Sequence, residues 1–471
     1  MYRQNSNHQQ IYEIKLDFAI FANTDMKRTV VLIISLSLCL SASAQGLRFE
    51  EVQADVRRAA DWFAGYRYTA PAAQPEAPSG FKPFNISTYA RHGARLYSKE
   101  ALYDNMHKVM TRASKAGQLT PLGQELLERS EAVYHMVRGR AYDLTSYGQQ
   151  QHRAVAARIL KSWKPVFKGR KTIVARSTQT NRTILSMTSA LDEYRRQAPK
   201  LKIYFDASAA DMGALNPTSK YNPRAQERDW SRAFEADTAR WNPAFRKLLK
   251  ENYKPEEFFR RFFTDPSIVL PVFKDYITAE RMFYFYFAFS ETLGPEESLM
   301  YMLTPKEAYG MWECENFRMY SCCGATPLYH GRNWALEEAL VRDFLKYWDE
   351  DIAGGDVAAR LRFGHDYKIS GSLVLLGAED WSYCASDPGK VKDGYDFGHM
   401  PMASTLLFAL FRNGKGEVLV RCTLDEVPQH FPIPCYNDTR GRQWPDYYRW
   451  EDFRSHCEAR LALADHILET T

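Results

Sequence analysis

Three stretches of this chain pass from apolar, β-branched residues to charged or titratable ones within a single step, a pattern that predicts strand ends. Residues 84–90, Phe84 to Ala90, are β-prone and run directly into Arg91-His92-Gly93-Ala94-Arg95. Thr172-Ile173-Val174-Ala175 stops at Arg176-Ser177-Thr178, and Leu361-Arg362-Phe363-Gly364 ends in His365-Asp366 ahead of a helix-compatible segment, Tyr367 to Leu376. Helices are also expected from near Arg95 and from the opening Leu144-Thr145-Ser146-Tyr147-Gly148. Alternating strand and helix signals over 45–204 and 345–471 predict an α/β core, a Rossmann-like sheet with helices on both faces. Residues 205–344 between them read as an inserted, mainly helical cap over the strand ends, and its run Phe283-Tyr284-Phe285-Tyr286-Phe287 as buried cap interior. Leu406–Phe411 and Val418–Val420 flank Asn413-Gly414-Lys415-Gly416 and predict a hairpin; Thr69–Pro83, rich in Pro and Ala, reads as a connecting loop.

The three strand ends carry a consistent chemistry. A phosphoryl group spreads negative charge over its oxygens, and arginine forks match those oxygens two at a time. A neutral histidine nitrogen attacks phosphorus when its other ring nitrogen is fixed as a donor. Gly93 suits such a turn, since glycine tolerates positive φ and close backbone approach. Open α/β sheets bind ligands at the carboxyl ends of their strands, where Arg91, His92, Arg95, Arg176, His365 and Asp366 would converge.

These motifs, in this order, closely resemble the histidine phosphatase superfamily, in its branch of histidine acid phosphatases, phytases and multiple inositol-polyphosphate phosphatases. The first motif of that family, R-H-G-x-R, is matched by Arg91, His92, Gly93 and Arg95; its mid-chain arginine looks like Arg176 within Arg176-Ser177-Thr178-Gln179-Thr180-Asn181-Arg182; its late His-Asp is similar to His365-Asp366. The resemblance implies that His92 is the nucleophile and forms a phosphohistidine. It implies further that Arg91, Arg95, Arg176 and His365 hold the phosphoryl oxygens, and that Asp366 protonates the leaving alcohol. No cofactor is implied. The chain departs from the commonest pattern at Tyr97, where a proline is usual, and Lys99 falls where phytase-like members often carry a phosphate-contacting lysine. The inositol-polyphosphate phosphatases usually read His-Ala-Glu at the late motif, whereas this chain reads His365-Asp366-Tyr367.

Composition changes this picture little. The 471 residues are 45% hydrophobic and 14% aromatic, enough for a large core, and the net charge of +5 is far from a nucleic-acid-binding excess. Arg224, Arg228 and Arg232 recur at helical spacing, with Glu227 and Asp229 close enough to pair, and read as a solvated face.

Compartment is read from the N-terminus. Met26-Lys27-Arg28, an apolar run Val30–Leu40 and Ala42-Ser43-Ala44 predict a signal peptide cleaved before Gln45, hence a periplasmic or secreted protein, with residues 1–25 an upstream extension. The run is too short to span a membrane. Seven cysteines follow the cleavage point; the group Cys314, Cys322 and Cys323 and the pair Cys422 and Cys435 are candidates for disulfides. No Cys or His spacing suggests a metal site. The sequence thus predicts an exported phosphomonoester hydrolase acting on a small-molecule substrate, phytate or other inositol phosphates first. The alternatives are a broad acid phosphatase on sugar phosphates or nucleotides and a non-catalytic phosphate-binding protein.

Overall fold

The computed structural model describes residues 46–68, 70–168, 172–216, 220–221, 234 and 236–470. The signal-peptide expectation and the Arg224/Arg228/Arg232 stripe lie outside these residues.

The expected strands form and extend by one to four residues. They are β1 (Lys82–Arg91), β2 (Thr172–Ser177), β4 (Val357–Gly364), β5 (Thr405–Arg412) and β6 (Val418–Leu424); β3 (Lys202–Asp206) and the short β7 (Tyr448–Arg449), not expected from the sequence, join them. They join in the order β7-β6-β5-β1-β4-β2-β3, and Val427–Pro428 adds a short pairing to β6. The β3-β2-β4-β1 portion is parallel. β5 lies antiparallel to β1, and β5 and β6 form the predicted hairpin. β1 is buried along nearly its whole length, as a central strand covered on both faces must be.

One face of the sheet is covered by α3 (Ser146–Ser162) and α4 (Asn181–Gln197), whose Ala156, Met187 and Leu191 meet Ile86, Ile173 and Phe411. The other carries α7 (Glu338–Ala353), α8 (Asp366–Leu375) and α9 (Trp450–Thr470), which bury Phe344, Trp348, Leu373 and Phe453 against Leu406 and Phe408. The α/β expectation therefore holds.

A third apolar cluster lies in the helical layer. Its centre is α5 (Tyr276–Ser290), where Phe283 and Phe287 are wholly buried, together with α6 (Pro305–Cys323). This cluster also takes in α1 (Ala101–Lys115), α2 (Pro121–Val137) and the N-terminal residues Leu47 to Phe63, so the helical layer draws on segments well outside 205–344. Local signals suit these helices: Thr304 caps α6 with Glu307 in a reciprocal box and Pro305 at its first position.

Two expectations are corrected. No helix starts near Arg95; the chain stays extended there, bridges to Leu144, and turns helical only at Ala101. Among the candidates for disulfide pairing, Cys314, Cys322 and Cys422 are thiols here. Among the described residues, no helix is long and apolar enough to cross a membrane.

Candidate active site

Register brings the strand ends together. Arg91 pairs with Gly364 across β1 and β4, and Ser177 with Phe363 across β2 and β4. The residues that follow these ends therefore meet at one edge: His92 N–H donates to the Gly364 carbonyl at 3.0 Å, and Thr178 N–H donates to the Phe363 carbonyl at 3.0 Å. The rings of His92 and His365 lie 5.8 Å apart, nearly perpendicular at 73°.

The loop from Arg91 to Arg95 is fixed at every peptide. Arg91 N–H donates to Ser404 O at 2.8 Å, and the His152 Nε2–H donates to Arg91 O at 3.0 Å. Ser186 Oγ accepts from Gly93 N at 3.0 Å, Gln151 Oε1 from Ala94 N at 2.8 Å, and Thr145 donates to the Ala94 carbonyl. The glycine at 93 is required by close approach: a Cβ there would lie 2.3 Å from the Gly148 carbonyl oxygen at the start of α3, and its φ is not positive. Gly364 is required for a similar reason, since a Cβ would lie 1.8 Å from the Tyr89 hydroxyl, which itself accepts from His365 N–H at 3.1 Å.

His92 is 4% exposed, and its Nδ1 lies 2.9 Å from the Gly93 carbonyl. A carbonyl only accepts, so Nδ1 carries the proton and Nε2 keeps its lone pair. Burial, then Arg182, Arg91, Arg95 and His365, hold the imidazole pKa well below 6.5. The ring is neutral. Arg91 is fully buried, with its guanidinium 4.0 Å over Trp62, Nη1 donating to Trp62 O (2.9 Å) and Met400 O (2.5 Å), and Nη2 3.4 Å from Asp366 Oδ2. Burial lowers its pKa to about 10. Arg95 donates to Leu96 O at 2.9 Å and faces Tyr142 and Phe289.

A third guanidinium completes the group, and it is Arg182. It stands in the first turn of α4, its Nη2 3.5 Å from His365 Nδ1 and its Cζ 4.3 Å over Tyr142. Burial lowers its pKa as it does that of Arg95. Arg176 is elsewhere: its Nη1 and Nη2 are taken by Asp211 (2.7 Å) and Asp343 (2.6 Å), on the face covered by α7. Strand parity explains this. Arg176 lies opposite Arg362 in the register, and both reach Asp343. The side chains that reach the edge come from the last residue of β1, Arg91, and from residues after the strands, as His92 and His365 do; Arg182, five residues past Ser177, is one of these. Lys99 is exposed ahead of α1, and among the described residues its ammonium makes no ion pair.

Asp366 opens α8 directly after His365. Burial pushes its carboxyl up, but Arg91, His365, the Tyr367 backbone N–H and Arg95 together hold it below the ordinary 3.8. The edge thus collects one neutral imidazole with its Nε2 lone pair, three guanidinium groups, a second imidazole and one carboxylate.

No model of a protein family matches the chain, nor does any curated protein. Solved structures do. A multiple inositol polyphosphate phosphatase from Bifidobacterium longum, in complex with phosphate, is 15% identical with a TM-score of 0.69, over 86% of this chain and 98% of that one. The same enzyme in complex with inositol hexasulfate is 16% identical with a TM-score of 0.67, over 85% and 97%. The phytase from D. castellii is 14% identical with a TM-score of 0.62, over 86% of each chain. The resemblance read from the sequence motifs is thus matched in three dimensions: the chain has the fold of these inositol polyphosphate phosphatase and phytase structures.

Proposed function

We propose that this protein is an exported phosphomonoester hydrolase of the histidine acid phosphatase and phytase type, acting through a phosphohistidine at His92. The observation that carries this reading is a buried imidazole kept neutral, with Nε2 open, inside a group of three arginines.

A nucleophile surrounded by cations stays unprotonated even in acid, because each guanidinium opposes a further positive charge on the ring. That is the condition an acid phosphatase needs. His92 Nε2 attacks phosphorus while Arg91, Arg95 and Arg182 match the three equatorial oxygens and His365 borders them. The P–O bond to the alcohol breaks, and Asp366 delivers its proton to the departing oxygen. In the second step the Asp366 carboxylate takes a proton from water, whose oxygen attacks the phosphohistidine; inorganic phosphate leaves and His92 returns neutral. Proton transfer of this kind contributes about 10²–10⁴-fold in rate.

Asp366 must be protonated for the first step, yet the arginines hold it ionised in the free site. A phosphate dianion offsets those charges and raises the carboxyl again, so binding takes up a proton and activity favours the acid side. The Bifidobacterium protein binds phosphate and inositol hexasulfate on this fold, which supports inositol phosphates, phytate first, over sugar phosphates and nucleotides.

The test is phosphate released from phytate by Gln45–Thr471 across acidic to neutral pH, with His92→Ala as control. Release that vanishes in the variant is expected. Phosphate binding without turnover at any pH, on phytate or small monoesters, would leave only the binding-protein reading.

A further inference from the structure

Between α2 and α3 the chain makes a short excursion, residues 138–145, that touches two of the three site arginines through one side chain. The Tyr142 ring has the Arg182 Cζ 4.3 Å and the Arg95 Cζ 4.7 Å from its centroid. Among the described residues neither arginine has a carboxylate within ion-pair distance, unlike Arg176, which has two. The contact that these two forks share is an aromatic face.

The backbone is built to hold it there. Tyr142 sits at φ +73°, a left-handed conformation in which a bulky L-residue is an outlier. It is held by its neighbours: Tyr142 N–H donates to Tyr97 O at 3.0 Å, Leu96 N–H donates to Asp143 O at 2.9 Å, and Arg95 bridges to Leu144. Glu100 clamps the approach, accepting from Gly139 N at 2.5 Å and Ala141 N at 3.2 Å. The position would suit glycine or asparagine on backbone grounds, and the residue is 44% exposed, so burial does not account for it either. A strained, exposed aromatic residue over two cations points to a role at the site.

We propose that Tyr142 is a positioning residue: its ring holds the guanidinium planes of Arg95 and Arg182 in the orientation that receives the phosphoryl oxygens. The proposal rests on the phosphatase reading above. A carboxylate could hold the same forks, but it would occupy the donors that the phosphate needs and cancel their charge. An aromatic face attracts the cations through its quadrupole and itself takes none of their N–H donors.

The experiment compares wild type with Tyr142→Phe, which keeps the ring, and Tyr142→Gly, which removes it while suiting the positive φ. Binding of inorganic phosphate is measured by calorimetry, with kcat and KM for phosphate release from phytate and the melting temperature alongside. Tyr142→Gly is expected to melt at or above wild type, because the strain is relieved. Its phosphate affinity should nevertheless fall about tenfold, the size of two exposed cation–π contacts, and kcat/KM with it. Tyr142→Phe should restore both to within about twofold of wild type. Phosphate affinity unchanged in Tyr142→Gly, or lost equally in Tyr142→Phe, overturns the positioning role while leaving the phosphatase reading intact. A wild-type protein that neither binds nor releases phosphate overturns both.

Discussion

Arg176 and Arg182 lie six residues apart, and replacing each by glutamine should produce opposite phenotypes. Arg182 faces His365 and Tyr142, among the described residues has no carboxylate within ion-pair distance, and is the largest charged influence on His92. Removing one of three guanidiniums from a preorganised anion site costs about 10²–10³ in kcat/KM. It should not cost stability, because burial and the neighbouring arginines already disfavour the charge there; the melting temperature stays level or rises. The His92 pKa should rise as well, since a cation that depressed it is gone, so the acid limb of the activity profile moves to higher pH. Arg176 behaves otherwise. Its loss leaves the half-buried Asp343 with Arg362 alone and Asp211 without its guanidinium. Breaking a largely buried pair costs about 3–5 kcal/mol when nothing compensates, and with Arg362 still in place about 2 kcal/mol is expected. Turnover per folded molecule should stay near wild type. Steady-state kinetics and thermal unfolding of both variants at one acidic pH decide the matter. If Arg176→Gln abolished turnover in a fully folded protein and Arg182→Gln did not, the assignment of the third guanidinium would be wrong.

Asp366→Asn should lose about 10²–10⁴-fold on alkyl phosphates such as phytate, and far less on a nitrophenyl ester whose leaving group needs no proton; equal losses on both would show that the carboxyl is not the acid. His152, buried and bonded to the Arg91 carbonyl, has its pKa lowered by burial to about 4. The folded protein therefore binds fewer protons than the unfolded chain between pH 6.5 and 4, and stability falls as pH drops through that window by up to about 3 kcal/mol from this residue. Urea unfolding at pH 7 and 4.5 should show a smaller acid loss in His152→Gln than in wild type; identical losses would count against it. In Gly93→Ala the new methyl would sit 2.3 Å from a backbone oxygen of α3, which cannot swing aside. A loss of about 1–3 kcal/mol is expected by thermal melting, with activity reduced further because the His92 loop is displaced; a wild-type profile would mean that α3 moves freely.

Much of the protein was legible in the residues themselves. The abrupt changes from β-branched residues to Arg91-His92, Arg176-Ser177 and His365-Asp366 located three neighbouring strands, because a buried parallel strand must be apolar until it reaches the ligand edge. The hairpin around Asn413-Gly414 and the buried aromatic run of α5 were local signals of the same kind. What local pattern could not supply was direction and company. Whether Arg176 or Arg182 joins His92 depends on strand parity and on Asp343, contributed by a helix 167 residues further along the chain. The need for Gly93 came from the approach of α3 rather than from its own φ. Tyr142 carried no motif, and only packing sets it over two arginines. The order of elements and the types of reactive group follow from short-range periodicity and side-chain chemistry, which the residues carry without their neighbours in space. The tertiary structure alone decided which cations stand free for a ligand and which are neutralised, because a charge's role depends on neighbours that chain order does not encode.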